Sequence, residues 1–123
     1  MDVGQSTADA LWQQAVDGTF KMEPDAARRC AEIYVRFVET TVNPQLTSAR
    51  ELARISGFGD FRSAEELRVG FAGKASSLLD ALTSMRAAAI TMAAAHLRAA
   101  RLIDDAEAAN AAAIKTAITG SGK

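Results

Sequence analysis

The sequence predicts an all-α protein built around an antiparallel helical hairpin. Apolar residues recur at steps of three and four over two long segments, which is the spacing of one buried helix face. A stretch containing two glycines and two phenylalanines separates the segments at about residues 56–63, where the chain is expected to turn back. A capping box within that stretch starts the second segment. The predicted units are a short N-terminal helix and linker (1–23), the hairpin (24–118) and a flexible tail (119–123).

The N-terminal helix is short and carries its own start and stop signals. Ser6 and Asp9 resemble a capping box, and Gly18 is expected to end the helix. Trp12 belongs to its small apolar face. Because so short a helix is marginal by itself, it needs a surface to pack on.

The first arm of the hairpin is predicted to begin at Pro24, with Asp25 beside the positive helix start. The pair Asn43-Pro44 interrupts this arm, since proline lacks an N–H and crowds the preceding turn. We expect either a kink there or a break with Asn43 capping a new helix. The predicted buried face consists of Ala27, Cys30, Tyr34, Phe37, Val38, Val42, Leu46, Ala49 and Leu52.

The turn has a clear local chemistry. Gly57 and Gly59 can adopt the positive φ angles that stop a helix, and Phe58 between them is expected to close the end of the hairpin. Ser63 followed by Glu66 forms the capping box of the second arm.

The second arm is predicted to run from Ala64 to about Ile118, a length of roughly 80 Å against roughly 45 Å for the first arm. It therefore overhangs the first arm unless it bends back. Its heptad-like seam calls for a partner helix along its length and consists of Phe71, Ala75, Leu78, Leu82, Met85, Ala89, Met92, His96, Ala99, Ile103 and Ala106.

A second apolar flank of this arm, formed by Leu79, Ile90, Leu97 and Leu102, exceeds what one antiparallel arm covers. The N-terminal helix with Trp12 is one candidate cover. Another chain is the other candidate, and it would complete a four-helix bundle on dimerisation. Both alternatives stay open at this stage.

Charge and hydropathy exclude several partners. The formal net charge is −1, from 14 basic and 15 acidic residues without a basic patch, so nucleic acid is not expected as a partner. The most apolar run is interrupted by His96 and Arg98, and we expect no membrane span. The first residues do not form a secretory signal, which predicts a protein that is cytoplasmic on synthesis and leaves the cell, if it does, by a signal-peptide-independent route.

No motif predicts an enzyme, and we expect no catalytic, cofactor or metal site. His96 lies in the seam with Asp104 two turns further on, but no second histidine supports a metal site. We interpret His96 as a polar residue that sets helix register. Cys30 is the only cysteine, so the chain has no internal disulfide, and we interpret it as a small core residue.

A helix-turn-helix hairpin with glycine and a bulky aromatic at the turn and an alanine-rich second helix resembles the WXG (Esx) family of type VII secretion-associated proteins. The resemblance covers about residues 24–118. The turn reads Gly57-Phe58-Gly59 where the family has Trp-x-Gly, and the only tryptophan, Trp12, lies elsewhere. The family's second mark, Tyr-x-x-x-Asp/Glu, is matched in place by Ile103 and Glu107, without the tyrosine.

The resemblance implies a non-enzymatic type VII secretion substrate or co-secreted partner, acting as a homodimer or as a heterodimer with a similar small helical protein or a larger effector. In this family one chain of a pair commonly carries the export signal for both. The alternative is a cytosolic chaperone, adaptor or immunity-like partner of a larger secreted effector, which would use the same apolar flank.

Overall fold

The computed structural model describes residues 2–54 and 62–121, and helices are the only regular secondary structure within them. This confirms the all-α prediction. The elements are α1 (Gln5–Asp17), α2 (Pro24–Phe37), a π-helical turn (Val38–Val42), α3 (Asn43–Ala53), α4 (Arg62–Ala99) and α5 (Ile103–Ser121).

Helix α4 is the centre of the fold, because α1, α2, α3 and α5 all pack against it. Helix α1 runs parallel to α4: Gln5 near its start reaches Thr91, and Met22, which follows the helix, donates its N–H to the Ala99 carbonyl at 3.1 Å. Helices α2 and α5 run the opposite way. Within the described residues, no Cα of α1, α2 or α5 lies within 8 Å of a Cα in another of these three helices. The outer helices are thus joined through α4 and leave grooves between them.

The carboxylate of Asp2 caps α1. It accepts the backbone N–H groups of Gln5 at 2.7 Å and Ser6 at 3.1 Å, and it also accepts the Ser6 hydroxyl. The Ser6 side chain, then its backbone N–H, lowers the pKa of Asp2 by binding the charged form. Ser6 lies inside the first turn, so the predicted Ser6–Asp9 capping box is wrong. Gly18 ends the helix with φ 87°, as predicted.

Helix α2 begins at Pro24, as predicted, with Glu23 as its cap. The Glu23 carboxylate accepts the N–H groups of Asp25 at 3.1 Å and Ala26 at 2.9 Å, and these bonds, that of Ala26 first, lower the pKa of Glu23. The helix start therefore needs no Ser, Thr or Asp before the proline.

A π-helical turn, Val38–Val42, immediately precedes Asn43-Pro44, where either a kink or a break was expected. The Asn43 N–H donates to the Val38 carbonyl five residues back, which widens the helix just before Pro44. This local widening accommodates a residue that can neither donate to the preceding turn nor pack closely on it. Asn43 has helical angles and no side-chain cap bond, so its predicted capping role is wrong.

The largest buried side chains pack where α3 meets α4. Val42, Leu46 and Ala49 from the first arm contact Leu82, and the half-buried Leu79 and Met85 extend this cluster. Elsewhere the buried surface of α4 consists mainly of alanine, which permits close helix approach but buries little apolar area per turn.

Helix α4 stops at Ala99, and the predicted continuous helix to Ile118 is wrong. Its 38 residues span about 57 Å. The Leu102 N–H donates to the Leu97 carbonyl and the Arg101 N–H to the Arg98 carbonyl, both at 3.0 Å, which is the Schellman arrangement. Arg101 has φ 63° at the left-handed position of this motif. The chain therefore bends back, and α5 packs along α4.

The turn glycines Gly57 and Gly59, with Phe58, lie outside the described residues, and so does the side chain of Ser63. Glu66 is exposed in the first turns of α4. Helix α5 extends to Ser121. The packing of α2 and α3 against α4 is observed, and the closing turn of the hairpin stays a prediction.

One described helical segment, Glu65–Ala99, is long and apolar enough to cross a membrane by length and composition alone, with 44% of its most apolar window buried by the rest of the chain. Core helices pass the same test, so this is weak evidence for a span.

Candidate functional site

A groove between α1 and α2, with α4 as its floor, is lined by uncharged residues only and has a volume of about 550 Å³. Ile33 and Phe37, one turn apart on α2, form one wall and expose 62% and 37% of their surface. Met85 and Met92 of the α4 seam are part of the floor. Exposed apolar side chains around a methionine-containing floor are typical of surfaces that bind other proteins.

A second groove lies between α2 and α5, on the other side of α2. It consists of two adjoining cavities of about 620 and 410 Å³ that share Val35 and Glu39 as lining residues. On α4 it extends from Arg86 to Leu97, a distance of about 16 Å or three helical turns. Unlike the α1–α2 groove, it combines apolar and charged side chains.

Arg86 is the half-buried charge of this α2–α5 groove. Its Nη1 donates to Asn43 Oδ1 at 3.1 Å, and its enclosed Nε has no acceptor among the described residues. Burial, then the charge of Arg50, lowers the pKa of the Arg86 guanidinium. Among the described residues no carboxylate oxygen lies within 4.0 Å of it. The guanidinium is therefore partly desolvated, and no carboxylate of the described residues pairs with it.

His96 packs among aromatic rings, with ring centroids 5.4 Å from both Phe20 and Tyr34. Its Nδ1 lies 2.7 Å from the Met92 carbonyl oxygen. Within residues 2–54 and 62–121, no group of three or more His, Cys, Asp or Glu side chains could hold a metal ion. Cys30 is a half-buried free thiol. These surroundings fit the interpretation of His96 as a packed seam residue.

The four predicted interface residues are all half-buried, and they lie in three different surroundings. Leu79 packs against the α3–α4 core cluster. Ile90 and Leu97 line the α2–α5 groove, to which α1 and Trp12 contribute no lining residue. Leu102 stands in the turn between α4 and α5, five residues after Leu97. Helices α2 and α5 of the chain itself therefore border Ile90 and Leu97, for which α1 or another chain was the expected cover.

The two residues predicted to match the family's secretion signal in place lie at the start of α5. Ile103 is its first residue and exposes 48% of its surface, and Glu107, four residues on, is also exposed. Both residues are accessible at the end of the bundle where α4 turns into α5.

Sequence reasoning missed Ile33 and Phe37, the exposed large apolar residues of the α1–α2 groove, and Arg86 in the α2–α5 groove. Phe37 was counted in the buried face of the first arm, and Ile33 was left out of it. The signal available in the sequence was the spacing of Ile33 and Phe37, four residues apart and so on one face of α2. For Arg86, the available signal was a charged residue next to the seam residue Met85 and directly before a run of alanines.

No protein-family model, curated protein or solved structure matches this chain. The class that the described structure defines is an all-helical protein whose central helix carries open grooves on both sides of α2.

Proposed function

We propose that this chain is a non-enzymatic, WXG (Esx)-like helix-binding protein, a type VII secretion substrate or co-secreted partner. The observation that carries the proposal is the uncharged α1–α2 groove. Its wall residue Ile33 is 62% exposed, and its floor belongs to the α4 seam. Fully burying an exposed large apolar side chain contributes about 1.5–3 kcal/mol, and Ile33 and Phe37 would each contribute the part of this that corresponds to their exposed surface.

The proposed partner is a second copy of the chain, a similar small helical protein or a larger effector. An α-helix suits the groove because α1 and α2 are themselves helices packed on α4, and a further helix would continue that pattern. Ile103 stands where the resemblance expects a tyrosine, so the partner would supply the export signal. The chain would then leave the cell only as half of a pair.

Export and association are tested together in a cell that carries a type VII apparatus. We expect the chain in the culture filtrate of the intact strain and its absence from the filtrate of a strain without the apparatus. Ile33→Glu combined with Phe37→Glu should abolish both partner binding and export, because two charges cannot be desolvated in an apolar groove. Ile114→Glu is the matched control, since Ile114 is 55% exposed on α5, away from the α1–α2 groove.

The alternative function is a cytosolic chaperone, adaptor or immunity-like partner. The missing tyrosine before Glu107 favours it, because a chain that never travels needs no signal. This alternative would be established if the wild type stays in the cell with or without the type VII apparatus, while partner binding is still lost on exchange of Ile33 and Phe37. The same result would contradict the secreted role.

A further inference from the structure

The α2–α5 groove presents a combination that the rest of the fold does not explain. Its walls include Val35, Ile90 and Ala112, which are apolar, while Arg86 places a half-buried guanidinium at one end. Desolvating a cation is costly unless a hydrogen-bonded anion balances it. Here Asn43 supplies one neutral acceptor, at 3.1 Å.

The surrounding charges add to the positive potential at this end of the groove. Lys115 of α5 lines the same cavity as Arg86, and Arg50 of α3 is close enough to act on the guanidinium. Glu39 is the acidic residue that lines this cavity. Its side chain is exposed on the π-helical turn and forms no ion pair with Arg86 within 4.0 Å. An incoming carboxylate would therefore meet two cations, Arg86 and Lys115, in a cavity where Glu39 does not pair with Arg86.

The form of the groove indicates what carries that carboxylate. The space is elongated along α4 over about three turns, between α2 and α5, whose described Cα atoms lie more than 8 Å apart. Apolar side chains spaced along a helix would contact Val35, Ile90 and Leu97, while one acidic side chain reaches Arg86.

We infer that the α2–α5 groove binds an amphipathic helix of a partner protein through a carboxylate that pairs with Arg86. The inference rests on the proposed helix-binding function and names the chemistry that such a partner must present. It also assigns a role to the π-helical turn, because that turn precedes Asn43, whose amide oxygen holds the guanidinium.

The probe is a synthetic amphipathic helix of about three turns with leucines on one face and one glutamate at the edge of that face. Its twin carries glutamine instead. Titration calorimetry on the full chain should show the glutamate peptide binding about tenfold more tightly, because a charge-assisted hydrogen bond exceeds a neutral one by about that factor. The advantage should shrink little with salt, since the pair is partly buried.

Two variants separate recognition from folding. Arg86→Gln should bind both peptides equally. Asn43→Asp is nearly isosteric, so it should keep the fold. It gives Arg86 an ion-pair partner from the chain itself, so the preference for the glutamate peptide should also be lost. Gln45→Glu is the control for added charge, because Gln45 is exposed two residues away, and it should keep the preference.

Each outcome decides the inference. A lost preference in both Arg86→Gln and Asn43→Asp, with normal circular dichroism, supports it. If the wild type binds the two peptides equally, Arg86 does not recognise a carboxylate, although the groove still binds a helix. Binding of neither peptide overturns the groove assignment, while export and the effect of Ile33 still test the proposed function. Decanoate binding as tightly as the glutamate peptide would show that the site takes a small amphipathic acid instead of a helix.

Discussion

Thr91 is a buried polar side chain with both hydrogen-bonding roles filled. Its hydroxyl donates to the Ala87 carbonyl at 3.0 Å and accepts from Gln5 Nε2 at 3.2 Å. The second bond connects α1 to α4 across the alanine-rich contact. At the residue scale, polar contacts of this kind specify how a small apolar helix sits on an otherwise featureless surface.

Thr91→Val should therefore destabilise the protein by about 1 kcal/mol and lower Tm by about 4 °C, because the Gln5 amide loses the acceptor on α4 and keeps only the Asp9 carboxylate of its own helix. Thr47→Val is the matched control: the Thr47 hydroxyl is exposed and donates to the Asn43 carbonyl of its own helix. Thermal unfolding followed by circular dichroism measures both. Equal effects of the two exchanges would show that the Gln5 bond contributes nothing.

The Asp2 cap makes the first turn of α1 sensitive to acid. Folding lowers the pKa of Asp2. The stabilisation by the Asp2 carboxylate is therefore fully present above the pKa of the unfolded state, about 3.9, and is lost as pH falls through the pKa of the folded state. The backbone N–H resonances of Gln5 and Ser6 should shift together over that acidic range. Asp2→Asn should remove the transition. Asp9→Asn should leave it in place, since Asp9 accepts the Gln5 side chain.

At the element scale, the helix ends determine how the chain folds back on itself. The α4–α5 turn places a non-glycine residue, Arg101, at φ 63°. Such a conformation costs about 1–2 kcal/mol for an L-residue, and packing of α5 on α4 offsets that cost. The turn therefore depends on tertiary contact more than on local preference.

Arg101→Gly should raise stability, by a few tenths to about 1 kcal/mol, because glycine adopts the left-handed conformation freely but loses more chain entropy on folding. Arg98→Gly, two residues before Ala100 inside the same last turn, should do the opposite and cost about 1 kcal/mol. Denaturant unfolding of both variants gives the signs. A destabilising Arg101→Gly would show that the arginine side chain itself holds the turn.

Periodicity and caps predicted the existence of the helices well, and their ends less well. Pro24 and Gly18 have strong local conformational preferences, so the start of α2 and the end of α1 were predicted correctly. The end of α4 was missed because no glycine or proline lies near Arg101, while alanines precede it and apolar residues follow it. At the candidate site, Ile90 and Leu97 were recognised as apolar surface, but their half-burial depends on α5 folding back. No local pattern announces that event.

On the scale of the whole molecule, α4 contacts every other helix, while α1, α2 and α5 stay apart from one another in the described residues. The grooves follow from this arrangement, since three helices around one axis cannot close its surface. Their contents differ: the α1–α2 groove is uncharged and the α2–α5 groove contains Arg86. One molecule thus offers two chemically distinct faces on either side of α2.

The same arrangement has a consequence for the dynamics of the native state. Helices α1 and α5 pack closely only on α4, so each can detach without breaking contacts to the other outer helices. The free energy of each detachment is small, because alanine-lined contacts bury little apolar area. Deuterium should therefore enter α1 and α5 by separate local openings, while the α4 amides around Leu82, which face the main core cluster, exchange last. Native-state exchange in low denaturant measures these openings. A single rate shared by all helices would mean that the bundle opens only as a unit.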